Sequence, residues 1–131
     1  MAELTQQQAR DLAEEFFELS RAVGDFRFDH FDTLTPEERA ALQSLQQQLS
    51  NQSNHFTAIA IQVTLEDLQG ALARIGQVTG QVKHAVTTLN DVRRVIGIAT
   101  SVVGLGAAIA TGNPGTIIAA IEDTAQSVRA T

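Results

Sequence analysis

The chain has 131 residues, a formal net charge of −6 and no cysteine. This length fits a single domain with a hydrophobic core, and the lack of cysteine excludes disulfide bridges, a thiol nucleophile and thiolate metal sites. Residues 1–40 hold ten acidic residues against four arginines, whereas residues 41–131 hold five acids and five bases. Because no basic stripe could neutralise phosphates, nucleic-acid binding is not expected.

The first ten residues, MAELTQQQAR, show neither the basic segment nor the apolar segment of a secretory signal. We therefore expect a protein that is cytoplasmic as synthesised. Membrane association, or export by a route that needs no signal peptide, stays open.

A first helix is predicted near the N-terminus. Thr5 and Gln8 form a capping-box pattern, and Leu4 is placed to act as a hydrophobic staple before it. Apolar residues then recur at helical spacing as one stripe, made of Leu12, Phe16, Leu19 and Val23. Gly24 is predicted to end this helix as a left-handed cap.

An aromatic bridge, DFRFDHFDTL, follows at residues 25–34. We expect Phe26, Phe28 and Phe31 to direct it back onto an apolar surface.

The next helix start is signalled by TPEE at residues 35–38. Thr35 is the expected cap, Pro36 suits the first helical position and Glu38 completes a second capping box. A stripe with coiled-coil spacing follows, made of Leu42, Leu45, Leu49, Gln52, Phe56, Ile59 and Val63. Residues 40–65 carry no formal charge, which suits either a neutral surface or a face that meets other helices through hydrogen bonds.

The apolar pattern shifts near residues 64–65, where Thr64 and Asp67 could cap a new helix. The stripe continues through Leu65, Leu68, Leu72, Ile75, Val82, Ala85, Leu89, Val92 and Ile96. Residues 36–94 could form one kinked helix or two or three shorter ones. The possible breaks are Gly70, Gly76, Gly80 and Asn90.

An uncharged segment spans residues 95–121, between Arg93-Arg94 and Glu122-Asp123. The sequence TGNPG predicts a turn inside it, with Gly112 ending one helix and Asn113-Pro114 beginning the next. The last helix is predicted to run from Pro114 to about residue 129. The segment is therefore a helical hairpin with unequal arms.

The predicted fold class is all-α, an elongated bundle of coiled-coil-like antiparallel helices with an apolar C-terminal hairpin. We expect a single domain over residues 1–131. It comprises an acidic helix with the phenylalanine-rich bridge (1–34), a long amphipathic region (35–94), and the apolar hairpin with the C-terminal helix (95–131).

The first arm of the hairpin, residues 95–110, has polar side chains only at Thr100 and Ser101. A helix that is apolar on all sides is normally buried in a large protein or in a bilayer. Surrounding it takes roughly five or six neighbouring helices, and a chain of this length forms only about four or five. We therefore predict that a membrane or another copy of the chain covers part of it.

The residues predicted to make that contact are the large aliphatic ones, namely Val95, Ile96, Ile98, Val102, Val103, Leu105, Ile109, Ile117, Ile118 and Ile121. Gly97, Gly104 and Gly106 are predicted to allow close helix packing. Sixteen residues at ~1.5 Å rise give about 24 Å, short of the ~30 Å hydrocarbon thickness. A permanent double span is therefore not expected.

Residues 82–121 resemble α-helical pore-forming toxins and colicin-type domains. The resemblance lies in amphipathic helices, few charges and a hairpin of Gly, Ala, Ile and Val, and no family motif is matched residue for residue. It implies a soluble helical protein that can present a hairpin to a membrane. No family site is carried over.

No pattern in the sequence indicates catalysis. The segment GLGAAI at residues 104–109 lacks the third glycine of a dinucleotide fingerprint, and too few residues follow to build such a domain. No cofactor, metal site or small-molecule substrate is predicted, and we expect the protein not to be an enzyme.

Two hypotheses follow from these patterns. In the first, the hairpin is sheltered in solution, with the acidic helix and the phenylalanine-rich bridge as its cover, and it can associate with membrane lipid. In the second, the chain forms a soluble bundle that binds copies of itself or another partner, and the hairpin is the permanent core of that oligomer.

Overall fold

The computed structural model describes residues 2–3, 5–58, 62–63 and 68–129. Within them the chain forms five α-helices, which are α1 (Gln6–Asp29), α2 (Pro36–Ala58), α3 (Leu68–Thr88), α4 (Val92–Thr111) and α5 (Pro114–Arg129). Two strands of two residues each, β1 (Ala2–Glu3) and β2 (Gln62–Val63), pair antiparallel. The predicted all-α bundle is confirmed.

The helices share one hydrophobic core, to which all five contribute. α1 packs mainly on α2 and then on α3, while α4 packs mainly on α5 and then on α2. At the centre, the rings of Phe16 and Phe56 meet edge to face with their centroids 5.1 Å apart. We call α1–α3 the three-helix body, in which α1 contacts both α2 and α3, and the α4–α5 hairpin packs on α2 and α3.

Buried hydroxyl groups tie α1 to α2 in antiparallel register. Ser53 Oγ donates to the carbonyl oxygen of Ala13 at 2.6 Å, and Ser20 Oγ donates to that of Gln46 at 3.0 Å. These bonds satisfy hydroxyls that would otherwise be costly to bury.

The start of α1 is as predicted, but its end is not. The Thr5 amide donates to Gln8 Oε1 at 2.9 Å, and the Gln8 amide donates to Thr5 Oγ1 at 3.1 Å. Gly24 lies inside the helix, which continues to Asp29, so its predicted left-handed cap is wrong. A Cβ at Gly24 would come 2.6 Å from Nε2 of Gln46, so this glycine provides room for α2.

Because α1 continues, the aromatic bridge lies mostly on a helix. Phe26 is buried, at 4% exposed, and stacks on His30 with ring centroids 4.1 Å apart. Phe28, two helical positions later, points to solvent at 82% exposed. Phe31 is 44% exposed beneath the Arg39 guanidinium, 3.9 Å from the ring centre. The bridge therefore packs inward through Phe26, and the prediction for Phe28 is wrong.

The second capping box is confirmed. The Thr35 amide donates to Glu38 Oε1 at 2.8 Å, and the Glu38 amide donates to Thr35 Oγ1 at 3.1 Å. The α2 stripe is buried at Leu42, Leu45, Leu49 and Phe56. The predicted roles of Leu4, Ile59 and the Thr64–Asp67 cap lie outside the described residues.

Residues 36–94 do not form one helix. α3 passes through Gly70, Gly76 and Gly80 without a break, and a short link around Asn90 separates it from α4. α4 begins at Val92 because the Asp91 side chain accepts from the backbone amides of the next turn. The apolar helix is therefore three residues longer at its start than predicted.

The predicted turn is confirmed. Gly112 has a φ of 69°, and its amide donates to the Ile109 carbonyl oxygen at 3.1 Å. Pro114 is the first residue of α5, and Asn113 Oδ1 accepts from the Thr116 amide at 3.1 Å. Local side-chain chemistry thus fixes the reversal between α4 and α5.

Candidate functional site: the α4–α5 hairpin

The α4–α5 hairpin, residues 92–129, contains the residues predicted to meet a membrane or another copy. Most of their large side chains lie inside the chain itself. Those at most 2% exposed are Val95, Ile98, Val102, Leu105, Ile109, Ile117 and Ile121. Ile96 and Val103 are half-buried against the core, and Ile118 is 45% exposed.

The outer face of α4 carries small residues. Gly97, Thr100, Gly104, Ala107 and Thr111 are exposed and recur every three or four positions. α4 is therefore amphipathic by side-chain size, since its large aliphatic residues are buried or half-buried and every exposed residue after Arg94 is Gly, Ala or Thr. Within the chain the bulky residues of α4 are covered and its outer face is not, so the expectation that a membrane or another copy covers the outer face stays a prediction.

The three glycines of α4 have different surroundings. A Cβ at Gly97 or Gly104 would meet no described atom within 4 Å, whereas one at Gly106 would come 2.8 Å from Nε2 of Gln52. Within the chain, Gly106 therefore lies closely against the Gln52 side chain of α2. For Gly97 and Gly104, any close approach would have to come from another molecule, and this stays a prediction.

Gln52 is the one polar side chain in the apolar stripe of α2, and it reaches α4. Its Nε2 donates to the Val103 carbonyl oxygen at 2.8 Å. Its Oε1 is buried and has no hydrogen-bond partner among the described residues. Its polar side chain at a stripe position was the only sequence signal for this contact, and it did not identify Gly106 as the partner.

A shallow groove runs along the outer side of the hairpin between α4 and α5, with a volume of about 710 Å³. Its walls are mostly small residues, including Gly104, Ala107, Gly115 and Ala119, and Asp123 lies at its edge. Beneath it, the buried Thr124 Oγ1 lies within hydrogen-bond distance of two carbonyl oxygens, that of Ala120 at 2.8 Å and that of Ser101 in α4 at 3.2 Å. The groove could accept a ridge of side chains from another helix.

α4 is the only helix among the described residues that is long and apolar enough to cross a membrane. It has 20 residues, and its most apolar window of 18 has a mean hydropathy of 1.6. At ~1.5 Å per residue the helix is about 30 Å long, a length that includes Arg93 and Arg94. The predicted 16-residue arm was shorter, because α4 begins earlier. In the bundle 44% of the apolar window is buried, and the core helix of a soluble protein meets the same criteria.

The cover of the hairpin differs from the hypothesis. α4 packs on α5, α2 and α3, while α1 touches it only marginally. The acidic helix and aromatic bridge therefore do not shelter α4. α2 and α3 do, and the uncharged face of α2 meets the hairpin partly through the Gln52 hydrogen bond.

The strongest electrostatic perturbation lies away from the hairpin, where α1 meets α3. Burial raises the pKa of Glu15 to about 7 from 4.5, and the neighbouring Asp11 carboxylate adds to the rise. A hydrogen bond with Thr79 of α3 opposes the rise. A Cβ at Gly76 would come 3.2 Å from Glu15 Oε1, so this carboxyl group lies in the helix contact.

The described residues contain no group of three or more His, Cys, Asp or Glu side chains placed to hold a metal ion. Comparison of the chain with known protein families, with characterised proteins and with solved structures gave no match.

Proposed function

We propose that the chain is a non-enzymatic helical protein with a soluble, cytoplasmic form and a membrane-associated form. In the soluble form, α2 and α3 shelter the hairpin. In the membrane-associated form, the hairpin leaves them and contacts lipid. The observation that carries this proposal is that α4 combines a length of about 30 Å with an outer face that, after Arg94, exposes only Gly, Ala and Thr.

The two faces of α4 would exchange roles on transfer to lipid. The buried face, with Val102 and Leu105 at its centre, would meet acyl chains. The face of Gly97, Gly104 and Ala107 would let helices approach closely, as small residues do in bilayers. α5 has 16 residues and carries Glu122 and Asp123, so we expect it to stay at the membrane surface.

A second candidate is self-association in water through the outer groove. Its support is the groove between α4 and α5, together with Ile118 of α5, a large apolar residue that is 45% exposed. In that case copies of the chain would bind through the small-residue face, while the bulky side chains stay inside each bundle.

Vesicle flotation and dye release, with solution mass measured in parallel, separate the candidates. The key variant is Gly104→Asp, because residue 104 faces solvent at the middle of α4 and has no described neighbour. The folded bundle should tolerate the charge. A charge at the centre of a membrane helix costs about 3 kcal/mol, so dye release should fall roughly a hundredfold.

Two controls match this variant. Gly104→Ala keeps the face small and uncharged, and Gln47→Asp places the same charge on an exposed site of α2. Concentration should be measured from peptide-bond absorbance, because the chain has no Trp or Tyr. A wild-type oligomer without lipid affinity, made monomeric by Gly104→Asp, would contradict the membrane proposal and favour the second candidate.

A further inference from the structure

The contact between α2 and α4 contains the side-chain amide of Gln52, of which only the nitrogen has a hydrogen-bond partner among the described residues. Gln52 sits between Leu49 and Phe56 on the buried side of α2, and both of these neighbours are fully buried. Its Nε2 reaches Val103 at 2.8 Å, but its buried Oε1 has no partner among the described residues. An acceptor in this state raises the free energy of the closed bundle.

Gly106 makes this arrangement possible. A Cβ at that position would come 2.5 Å from Cδ of Gln52, so any larger residue would displace the amide group. The Gln52 side chain therefore fits a notch in α4. Neither the Val103 carbonyl nor the notch supplies a donor for Oε1.

A second side-chain link between the three-helix body and the hairpin is exposed. Arg74 of α3 forms an ion pair with Glu122 of α5, and the two side chains are 48% and 56% exposed. Exposed pairs of this kind contribute little to stability. By contrast, the body is tied internally by the buried Ser53–Ala13 hydrogen bond.

We propose that Gln52 is a built-in weak point at which the α4–α5 hairpin separates from the α1–α3 body, turning about the link around Asn90. Opening brings water to Oε1 and removes the cost of burying it. We build this on the proposed function, in which such an opening would precede contact with lipid. The opening itself takes place in solution, and it can be measured there.

The test is hydrogen exchange of backbone amides in Gln52→Met, with Gln48→Met as the matched control on the exposed side of α2. Methionine fills the notch without an unpaired acceptor, and the Val103 carbonyl keeps its helical partner. We expect exchange in α4 and α5 to slow about tenfold, the factor that corresponds to one buried unsatisfied acceptor. Unchanged or faster exchange in α4 and α5 would overturn the inference.

Ser53→Ala tests whether the hairpin opens as a separate unit. This variant weakens the α1–α2 contact, which global unfolding breaks and hairpin opening leaves intact. We expect faster exchange in α1 and α2 and unchanged exchange in α4 and α5. If hydrogen exchange in α4 and α5 becomes faster by the same factor as in α1 and α2, the chain opens only as a whole and the inference fails.

Vesicles of phosphatidylcholine and phosphatidylglycerol provide the second readout. We expect Gln52→Met to release dye about tenfold more slowly than Gln48→Met. A wild-type chain that releases no dye would contradict the proposed function, while the exchange measurements would still decide the role of Gln52. Equal dye release by the two variants, together with active wild-type protein, would contradict the inference alone.

Discussion

α1 and α4 are both long amphipathic helices that bury one face in the same core, yet their outer faces differ. The solvent side of α1 carries charged residues such as Arg10, Glu14 and Arg21. The solvent side of α4 carries Gly97, Gly104 and Ala107. α1 separates its faces by polarity, and α4 separates them by size.

This difference explains how α4 can be uncharged from Val95 onward and still lie at the surface of a small bundle. The free energy gained by burying apolar surface scales with its area, so exposing glycine and alanine costs little. Leu105 and Ile98 have larger apolar areas, whose burial contributes more free energy, and both are fully buried. Mean hydropathy does not register the contrast, because it averages over both faces.

The largest expected effect comes from placing a charge on each face of α4. Val102→Asp would bury an unpaired carboxylate at a fully buried position, and we expect a loss of more than about 4 kcal/mol of unfolding free energy. Thr100→Asp, on the exposed face two residues earlier, should change it by less than about 1 kcal/mol. Urea unfolding followed by circular dichroism at 222 nm gives both values. Similar losses in the two variants would mean that the faces of α4 do not differ in burial.

A smaller contrast is expected between two glycines on that helix. Gly104→Ala should stabilise the protein by about 1 kcal/mol, because alanine favours a helix and nothing obstructs it. Gly106→Ala should destabilise it by about 1 kcal/mol, because the added Cβ would overlap the Gln52 side chain and the strain outweighs the gain in helix propensity. Thermal unfolding of the two variants measures the difference.

A double variant provides the control. Gln52→Ala removes the side chain that meets residue 106, so adding Gly106→Ala to it should become neutral or stabilising. If Gly106→Ala is stabilising on its own, the notch does not constrain α4.

The role of a residue could be predicted from the sequence where that role depends on neighbours within a few positions of the chain. Thr5, Thr35 and Pro114 were assigned correctly, because caps and turns are set by side chains within a few positions. Gly24 was misassigned because its role depends on Gln46 of another helix. Gly106 and Gln52 illustrate the same limit, since the spacing of residues along the chain does not say which helices meet.

The faces of α4 were missed for a related reason. The stripe of bulky residues was present in the sequence, but a two-class division into apolar and polar residues hides it. Dividing the apolar residues by size would have separated Val95, Ile98, Val102, Leu105 and Ile109 from the glycines and alanines. The burial of that stripe could then have been expected from the sequence.

The pH dependence of the unfolding free energy should come from Glu15 of α1. Because the pKa of Glu15 is raised from 4.5 to about 7 on folding, its contribution is fully present below 4.5 and is lost as pH rises through 7. We expect the wild type to lose about 1 kcal/mol between about pH 5 and about pH 8, a value reduced for partial solvent exposure. Urea unfolding at the two pH values measures this loss.

Glu15→Gln should remove most of this loss, because glutamine stays neutral. Glu37→Gln, at an exposed site on α2, should keep it. The direction of the pH effect bears on the proposed function, because low pH would stabilise the contact between α1 and α3. A profile in which acid instead loosens that contact, and Glu15→Gln has no effect, would contradict the role given to Glu15.

The smallest expected effect is that of the exposed ion pairs, one on each side of the comparison. Arg74–Glu122 joins α3 to α5, and Lys83–Glu18 joins α3 to α1, with an N–O distance of 2.8 Å in the latter. All four side chains are about half exposed, so we expect Glu122→Gln and Glu18→Gln each to cost roughly 0.2–1 kcal/mol, and less at high salt. Urea unfolding at low and high ionic strength measures both. A larger, salt-insensitive loss for Glu122→Gln alone would mean that the ion pair, and not apolar packing, holds the hairpin to the body.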